Sequence, residues 1–272
     1  MDLSKIKLIA TDMDGTLLNS NHKVSDRFFN LFKSLIQHDI LFVAASGRPY
    51  YSILEKLNDI KNDITIVAEN GGLVIKNETV LLSTPINKNK LQHIVSKFDD
   101  LSAINAIFCT QNKAYFKIND ADLLKTLTEF YPNFKQIDST EEINETIIKI
   151  ALYHNECSET HIYPHFKDLD GTYGVKVSGK NWVDISDNLA NKGHAIKILQ
   201  KNHNITAEET LTFGDYNNDI EMLKQSTYSF AMENAHQNVK DIANFKTKSN
   251  DEFGVELILE KLLEAKEALQ LM

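Results

Sequence analysis

Apolar and polar positions follow two different rhythms along the chain. At the start, short continuous apolar runs alternate with stretches of helical spacing. Lys5–Thr11, Ile40–Ala45 and Ile64–Ala68 read as strands, Ser25 as the cap of an amphipathic helix reaching His38, and Pro49 as the opening of a second helix. Leu73–Ser83 reads as a hairpin turning at Lys76-Asn77-Glu78. Apolar strands alternating with helices predict a parallel sheet covered on both faces. From Pro85 the rhythm changes. A helix over Asn87–Phe98, a strand pair at Ala103–Cys109 and Lys113–Ile118, and a helix over Asp120–Tyr131 come first. They are followed by a strand at Thr146–Tyr153, a helix over Ser158–Leu169 and a second pair at Gly174–Ser178 and Trp182–Ser186, which is an α+β pattern. The first rhythm then resumes, with helices over Asn191–Lys201 and Asn218–Gln225, strands at Thr210–Phe213 and Tyr228–Met232, and helices to the end. The predicted fold is α/β: a doubly wound, Rossmann-like parallel-sheet core in two pieces, 1–84 and 188–272, with an α+β domain, 85–187, inserted between them.

Composition narrows the partners. Lys plus Arg number 29 against 38 Asp plus Glu, a net charge of −9, so there is no basic surplus for a polyanionic backbone and nucleic acid is not expected. Cys109 and Cys157 have no metal-type spacing and read as reduced core residues. The N-terminus shows no leader pattern, and the longest apolar run, Ile40–Ala45, is too short to span a bilayer. The expectation is a soluble cytoplasmic protein without membrane attachment, monomeric or weakly dimeric. Asn77-Glu78-Thr79 and Asn144-Glu145-Thr146 then match a glycosylation pattern with no compartment to act in.

In a parallel sheet, loops leaving the carboxyl ends of strands converge on a crevice. Four such loops have unusual content: Asp12-Met13-Asp14-Gly15-Thr16, Ser46-Gly47-Arg48-Pro49, Asn191-Lys192-Gly193, and Gly214-Asp215 with Asn218-Asp219. Two carboxylates about 4 Å apart repel by roughly 4 kcal/mol at an effective dielectric near 20, so Asp12, Asp14 and Asp215 call for a hard divalent cation. A lysine and a serine on neighbouring loops add a cation and a donor for phosphate oxygens. That set reads as phosphoryl transfer. Asp12 is suited to attack phosphorus, and Asp14 to protonate the leaving oxygen and then activate water, which requires a raised pKa.

The four loops, in this order, resemble the motifs of the haloacid dehalogenase superfamily, specifically its Cof-like group with a type IIB cap. Asp12–Thr16 matches the first motif, Ser46–Pro49 the second, Lys192 the third, and Gly214-Asp215 with Asn218-Asp219 the fourth; Glu69-Asn70-Gly71-Gly72 resembles the turn after the third strand. The resemblance implies that 85–187 is a substrate-selecting cap. It implies Mg2+ held by Asp12, the backbone carbonyl of Asp14, and Asp215. Phosphate contacts would come from Met13 and Gly47 backbone, Ser46, Lys192 and Asn218, with Thr16, Arg48 and Asp219 in support.

The function expected is a magnesium-dependent phosphatase acting on small phosphorylated metabolites through an aspartyl-phosphate. Sugar phosphates come first, and pyridoxal phosphate or flavin mononucleotide next. A phosphosugar mutase and a non-catalytic phosphometabolite-binding regulator are the alternatives; a dehalogenase has no use for the second acid. Within the insertion, Tyr115, Phe116, Tyr131, Phe134 and Tyr153 read as core, His161 and His165 as an unmetallated pair, and Asp184 as solvated or capping a turn.

Overall fold

The computed structural model describes residues 2–97, 101, 103–118 and 120–270. The first strands are β1 (Leu8–Asp12), β2 (Leu41–Ala45), β3 (Ile64–Ala68), β4 (Leu73–Lys76) and β5 (Thr79–Ser83). The insertion contributes β6 (Asn105–Thr110), β7 (Ala114–Phe116), β8 (Phe134–Gln136), β9 (Ile147–Tyr153), β10 (Gly174–Gly179) and β11 (Trp182–Ser186). The chain closes with β12 (Thr210–Gly214), β13 (Tyr228–Ala231) and β14 (Phe245–Lys246). Among the described residues these form two sheets, ordered β14-β13-β12-β1-β2-β3-β4-β5 and β10-β11-β9-β6-β7-β8.

The first sheet is parallel from β14 to β3, with β4 and β5 added antiparallel at one edge. Its inner strands β1, β2, β3 and β12 are buried at nearly every position because both faces are covered, whereas β5 and β14 at the edges are exposed. Ile9, Phe42 and Ala44 pack with Phe28, Phe32 and Leu259 on one side, while Leu8, Ala10, Val43 and Ala45 pack with Ala195, Ile196 and Leu199 on the other. The chain runs outward from β1 through β2 in one direction and from β12 through β13 in the other. The carboxyl ends of β1 and β12 therefore flank the switch point where such sheets bind ligands.

The second sheet is antiparallel except where β8 joins β7. Along β9 the side chains of Lys149, Ala151 and Tyr153 share one face. Register sets Cys109 and Ser186 beside Lys149, Asp184 beside Ala151, and Trp182 beside Tyr153. The five aromatic residues expected in this core are there, packed in two clusters on opposite faces of the sheet.

Some elements differ from the expectation, and two strands were not expected. The helix read over Ser158–Leu169 breaks into Ser158–His161, Tyr163–Phe166 and a 3-10 turn, because Pro164 has no N–H to bond the carbonyl four residues back and is tolerated only in the first turn of a new helix. β8 and β14 were not legible: each is two or three residues long with exposed positions, too short to show a period. The helix read over Asn87–Phe98 is observed as Lys88–Val95, and Phe98 lies outside the described residues. No helix among the described residues is long and apolar enough to cross a membrane.

Candidate active site

Asp12 is the last residue of β1 and is buried. Beyond it the chain must turn at once, and Gly15 does so at φ 77°; a Cβ there would collide with the Asp215 carboxylate, so only glycine lets the first and fourth loops approach. Thr16 Oγ1 donates to Asp215 Oδ1 at 3.0 Å and ties the two loops together. Asp219 Oδ2 accepts from the backbone N–H groups of Asp215 (2.9 Å) and Tyr216 (3.1 Å), which shapes the fourth loop from inside.

Lys192 opens the helix Lys192–His203, capped by Asn191, whose side chain accepts from His194 N at 2.8 Å. Its ammonium is fully buried and donates to Asp12 Oδ1 at 2.5 Å and Asp219 Oδ1 at 2.6 Å. Burial alone would lower its pKa, but these two carboxylates hold it above the usual lysine range.

Carboxylate oxygens of Asp12, Asp215 and Asp219 lie within 4.8 Å of one another, and Lys192 is the cation among them. Three acids against one lysine leave negative charge uncompensated. Burial, then the charge of Asp219, pushes the Asp12 carboxyl up to about 7; burial and the charge of Asp12 push Asp215 well up as well. This donor set of hard oxygens with excess charge fits a divalent cation such as Mg2+. No comparable group exists elsewhere among the described residues; His161 instead pairs with Glu156 at 2.8 Å and stacks on His154.

Asp14 is directed away from that group. Its two oxygens receive Arg48 Nε at 2.6 Å and Arg48 Nη2 at 2.7 Å, with His22 Nδ1 at 3.3 Å. Burial would raise its pKa, but the hydrogen bonds from Arg48 and His22 outweigh it and hold the carboxyl well below the usual range. The expectation of a raised pKa is therefore corrected: in this arrangement Asp14 is ionised, because a bidentate guanidinium stabilises the carboxylate.

Arg48 reaches further than its motif suggested. Nη1 donates to Ser52 Oγ and to the backbone carbonyl of Glu129, both at 3.2 Å, and the guanidinium lies 4.7 Å from the centre of the Phe130 ring. It thus bridges the core to the helix Ala121–Phe130 of the insertion.

Ser46, Gly47 and Asn218 border the same cavity of about 310 Å³ as Asp12, Asp14 and Asp215. Met13 is buried with its side chain in the core, so only its backbone is available to a ligand. The other wall is the insertion, including Phe130, Tyr131, Ser178, Lys180 and Trp182. Sequence reasoning missed Lys149 and misplaced Asp184: both border the cavity, at 1% and 4% exposure, and Asp184 is neither solvated nor a cap. The signal for Lys149 was present, a lone charge inside Ile147-Ile148-Lys149-Ile150-Ala151.

A family model described as haloacid dehalogenase-like hydrolase matches residues 9–259. The 5-amino-6-(5-phospho-D-ribitylamino)uracil phosphatase YbjI of Escherichia coli (strain K12) is 31% identical, over 95% of this chain and 96% of its own length. YwtE of Bacillus subtilis (strain 168), a phosphatase of the same name, is 27% identical over 95% of this chain and 98% of its own. The crystal structure of SMU.1108c from Streptococcus mutans UA159 superposes with a TM-score of 0.89 at 33% identity, covering 95% of this chain and 99% of that one. Loop order, sheet topology and these likenesses agree, and the chain belongs to the haloacid dehalogenase-like hydrolase family, as one of its phosphatases.

Proposed function

We propose that this phosphatase is a magnesium-dependent cytoplasmic enzyme that hydrolyses small phosphate monoesters through an aspartyl-phosphate on Asp12. The observation that carries the reading is the buried group of Asp12, Asp215 and Asp219 around Lys192, at the switch point of the sheet. Asp12 and Asp215, with the backbone carbonyl of Asp14, would hold Mg2+, which when bound supplies positive charge that neutralises phosphate oxygens.

The protein's own groups would do the rest. Asp12 forms a bond to phosphorus as the bond from phosphorus to the leaving oxygen breaks, and Asp14 supplies the proton that oxygen needs. Asp14 then takes a proton from the water that attacks the aspartyl-phosphate, which frees orthophosphate and restores Asp12. Arg48 favours the ionised form of Asp14, so a shift of Arg48 away from one of the two oxygens during the cycle would ease protonation. Ser46, Asn218 and Lys192, with the backbone N–H groups of Met13 and Gly47, are the phosphate-holding groups in this reading. Thr16 and Asp219 fix the fourth loop.

The insertion, taken as 85–187, selects the substrate. Its wall sets Trp182 and Phe130 at ring centroids 5.3 Å apart, with Lys180 nearby, which suits an ester with a flat polar group beyond its phosphate. Two relatives named for 5-amino-6-(5-phospho-D-ribitylamino)uracil make that compound the first ester to assay, ahead of simple sugar phosphates, pyridoxal phosphate and flavin mononucleotide. The test is turnover of this panel with magnesium and with excess chelator. Magnesium-dependent release of orthophosphate supports the proposal, and full activity in chelator contradicts it.

A further inference from the structure

Lys149 and Asp184 belong to the insertion, yet their polar atoms are engaged by the phosphate side of the core. Register puts both on one face of the second sheet, turned toward the first. Lys149 Nζ donates to the carbonyl oxygen of Gly47 at 2.5 Å and lies 2.7 Å from Glu69 Oε2 and 3.6 Å from Asp184 Oδ2. Asp184 Oδ2 accepts from Asn70 Nδ2, and Asn70 Oδ1 accepts from Asn218 Nδ2 at 2.9 Å. Glu69 and Asn70 both hold positive φ, 52° and 55°, a conformation uncommon outside glycine and costly for a residue such as Glu. Their backbone N–H groups donate to the carbonyls of Arg48 and Ser46.

The polarity of this network follows from its ends. Asp184 Oδ2 accepts from the NH2 group of Asn70, so the Asn70 oxygen faces Asn218, which presents its own NH2. One hydrogen of that NH2 is used on Asn70 and the other remains to donate. At the other end, Lys149 fixes the Gly47 carbonyl and with it the plane of the Gly47–Arg48 peptide, whose N–H donates to Ser46 Oγ at 3.0 Å. Ser46 Oγ is thereby an acceptor toward the protein, leaving its O–H to donate. Both branches end on residues bordering the cavity with a donor to spare, which is what a phosphate requires.

We infer that Lys149 and Asp184 are positioning residues that set the donor polarity of the phosphate-binding edge, so that the cap helps build the phosphate site as well as choosing the ester. The inference rests on the phosphatase reading above. Its consequence is that these two positions affect even a ligand with no organic part.

The test is calorimetric binding of orthophosphate in magnesium, with melting temperatures and kcat/KM on acetyl phosphate measured alongside. Asp184→Ala removes the acceptor, and Asp184→Asn keeps one. Lys149→Met combined with Asp184→Asn removes one charge of each sign, which keeps the seam's net charge and offers a folded protein if Asp184→Ala is too unstable. Lys97→Ala, at an ion pair with Asp168 on the surface of the same unit, is the control. Orthophosphate affinity should fall roughly tenfold or more in Asp184→Ala and in the double variant, as for loss of a charge-assisted hydrogen bond. It should stay within about threefold of wild type in Asp184→Asn and be unchanged in Lys97→Ala. Wild-type affinity in Asp184→Ala or in the double variant overturns the inference, as do equal losses in Asp184→Asn and Asp184→Ala. A wild-type protein that binds no orthophosphate overturns the phosphatase reading itself and the inference with it.

Discussion

Arg48 grips both carboxylate oxygens of Asp14, at 2.6 and 2.7 Å, while its remaining nitrogen bonds the backbone of Glu129 in the insertion. The residue proposed to move protons is therefore linked, through one side chain, to the unit proposed to admit the substrate. Lysine cannot reproduce this, since it lacks the planar fork and carries a single donor group. Arg48→Lys should lower kcat/KM for the preferred ester by roughly 10- to 100-fold, the worth of a charge-assisted hydrogen bond. Steady-state kinetics would show it; unchanged kcat/KM would mean the clamp is incidental.

The acid group makes a prediction about stability without metal. Each pair of carboxylates at this spacing repels by on the order of 3 kcal/mol at an effective dielectric of 20, partly offset by Lys192. Asp215 is partly exposed, so solvent screens its share and about 1 kcal/mol of relief is the expectation on neutralising it. Asp215→Asn should raise the melting temperature in chelator by roughly 2–4 °C. Magnesium should stabilise wild type and leave the variant almost unmoved. A variant less stable than wild type in chelator would show that the acids are not in excess.

Glu69 gives a pH dependence with a definite sign. Burial raises its pKa above the ordinary 4.5, against the opposing pull of Lys149, so the folded state holds the proton more tightly than the unfolded chain. Stability contributed by Glu69 is then fully present below about 4.5 and declines as pH rises from there through the folded value. In denaturant titrations, wild type should lose stability relative to Glu69→Gln across that window. A difference that is flat, or that grows in favour of wild type with rising pH, would contradict the burial argument.

Trp182 borders the cavity and packs against Phe130, Tyr131 and Tyr153. Trp182→Ala should change the ranking of phosphate esters by tenfold or more in kcat/KM, about 1.4 kcal/mol per decade, and leave acetyl phosphate within a few-fold. An unaltered ranking would place selection elsewhere.

Much of this was legible in the sequence because the core elements are long, apolar and punctuated. The runs at 41–45, 64–68 and 210–214 are buried at nearly every position, and Ser25 caps its helix as its residue type suggested, accepting from Phe28 N. The first and fourth loops were legible through the joint order of the four motifs, since each acid alone would pass for a polar turn or a helix cap. What stayed hidden depends on tertiary contact. Nothing local says that Arg48 turns toward Asp14, or that Asp184 pairs with Asn70. The first pair, 34 residues apart, meets only when the loops after β1 and β2 come together, and the second, 114 residues apart, only once the insertion packs on the core.

Covalent attack by Asp12 leaves an intermediate that can be trapped. Wild-type protein mixed with its preferred ester and magnesium, acid-quenched within one turnover and reduced with borohydride, converts an aspartyl-phosphate to homoserine, which peptide mass spectrometry can locate. Homoserine is expected at position 12, dependent on both ester and magnesium, and none in Asp12→Asn. Homoserine at another position, or rapid turnover by Asp12→Asn, would contradict it.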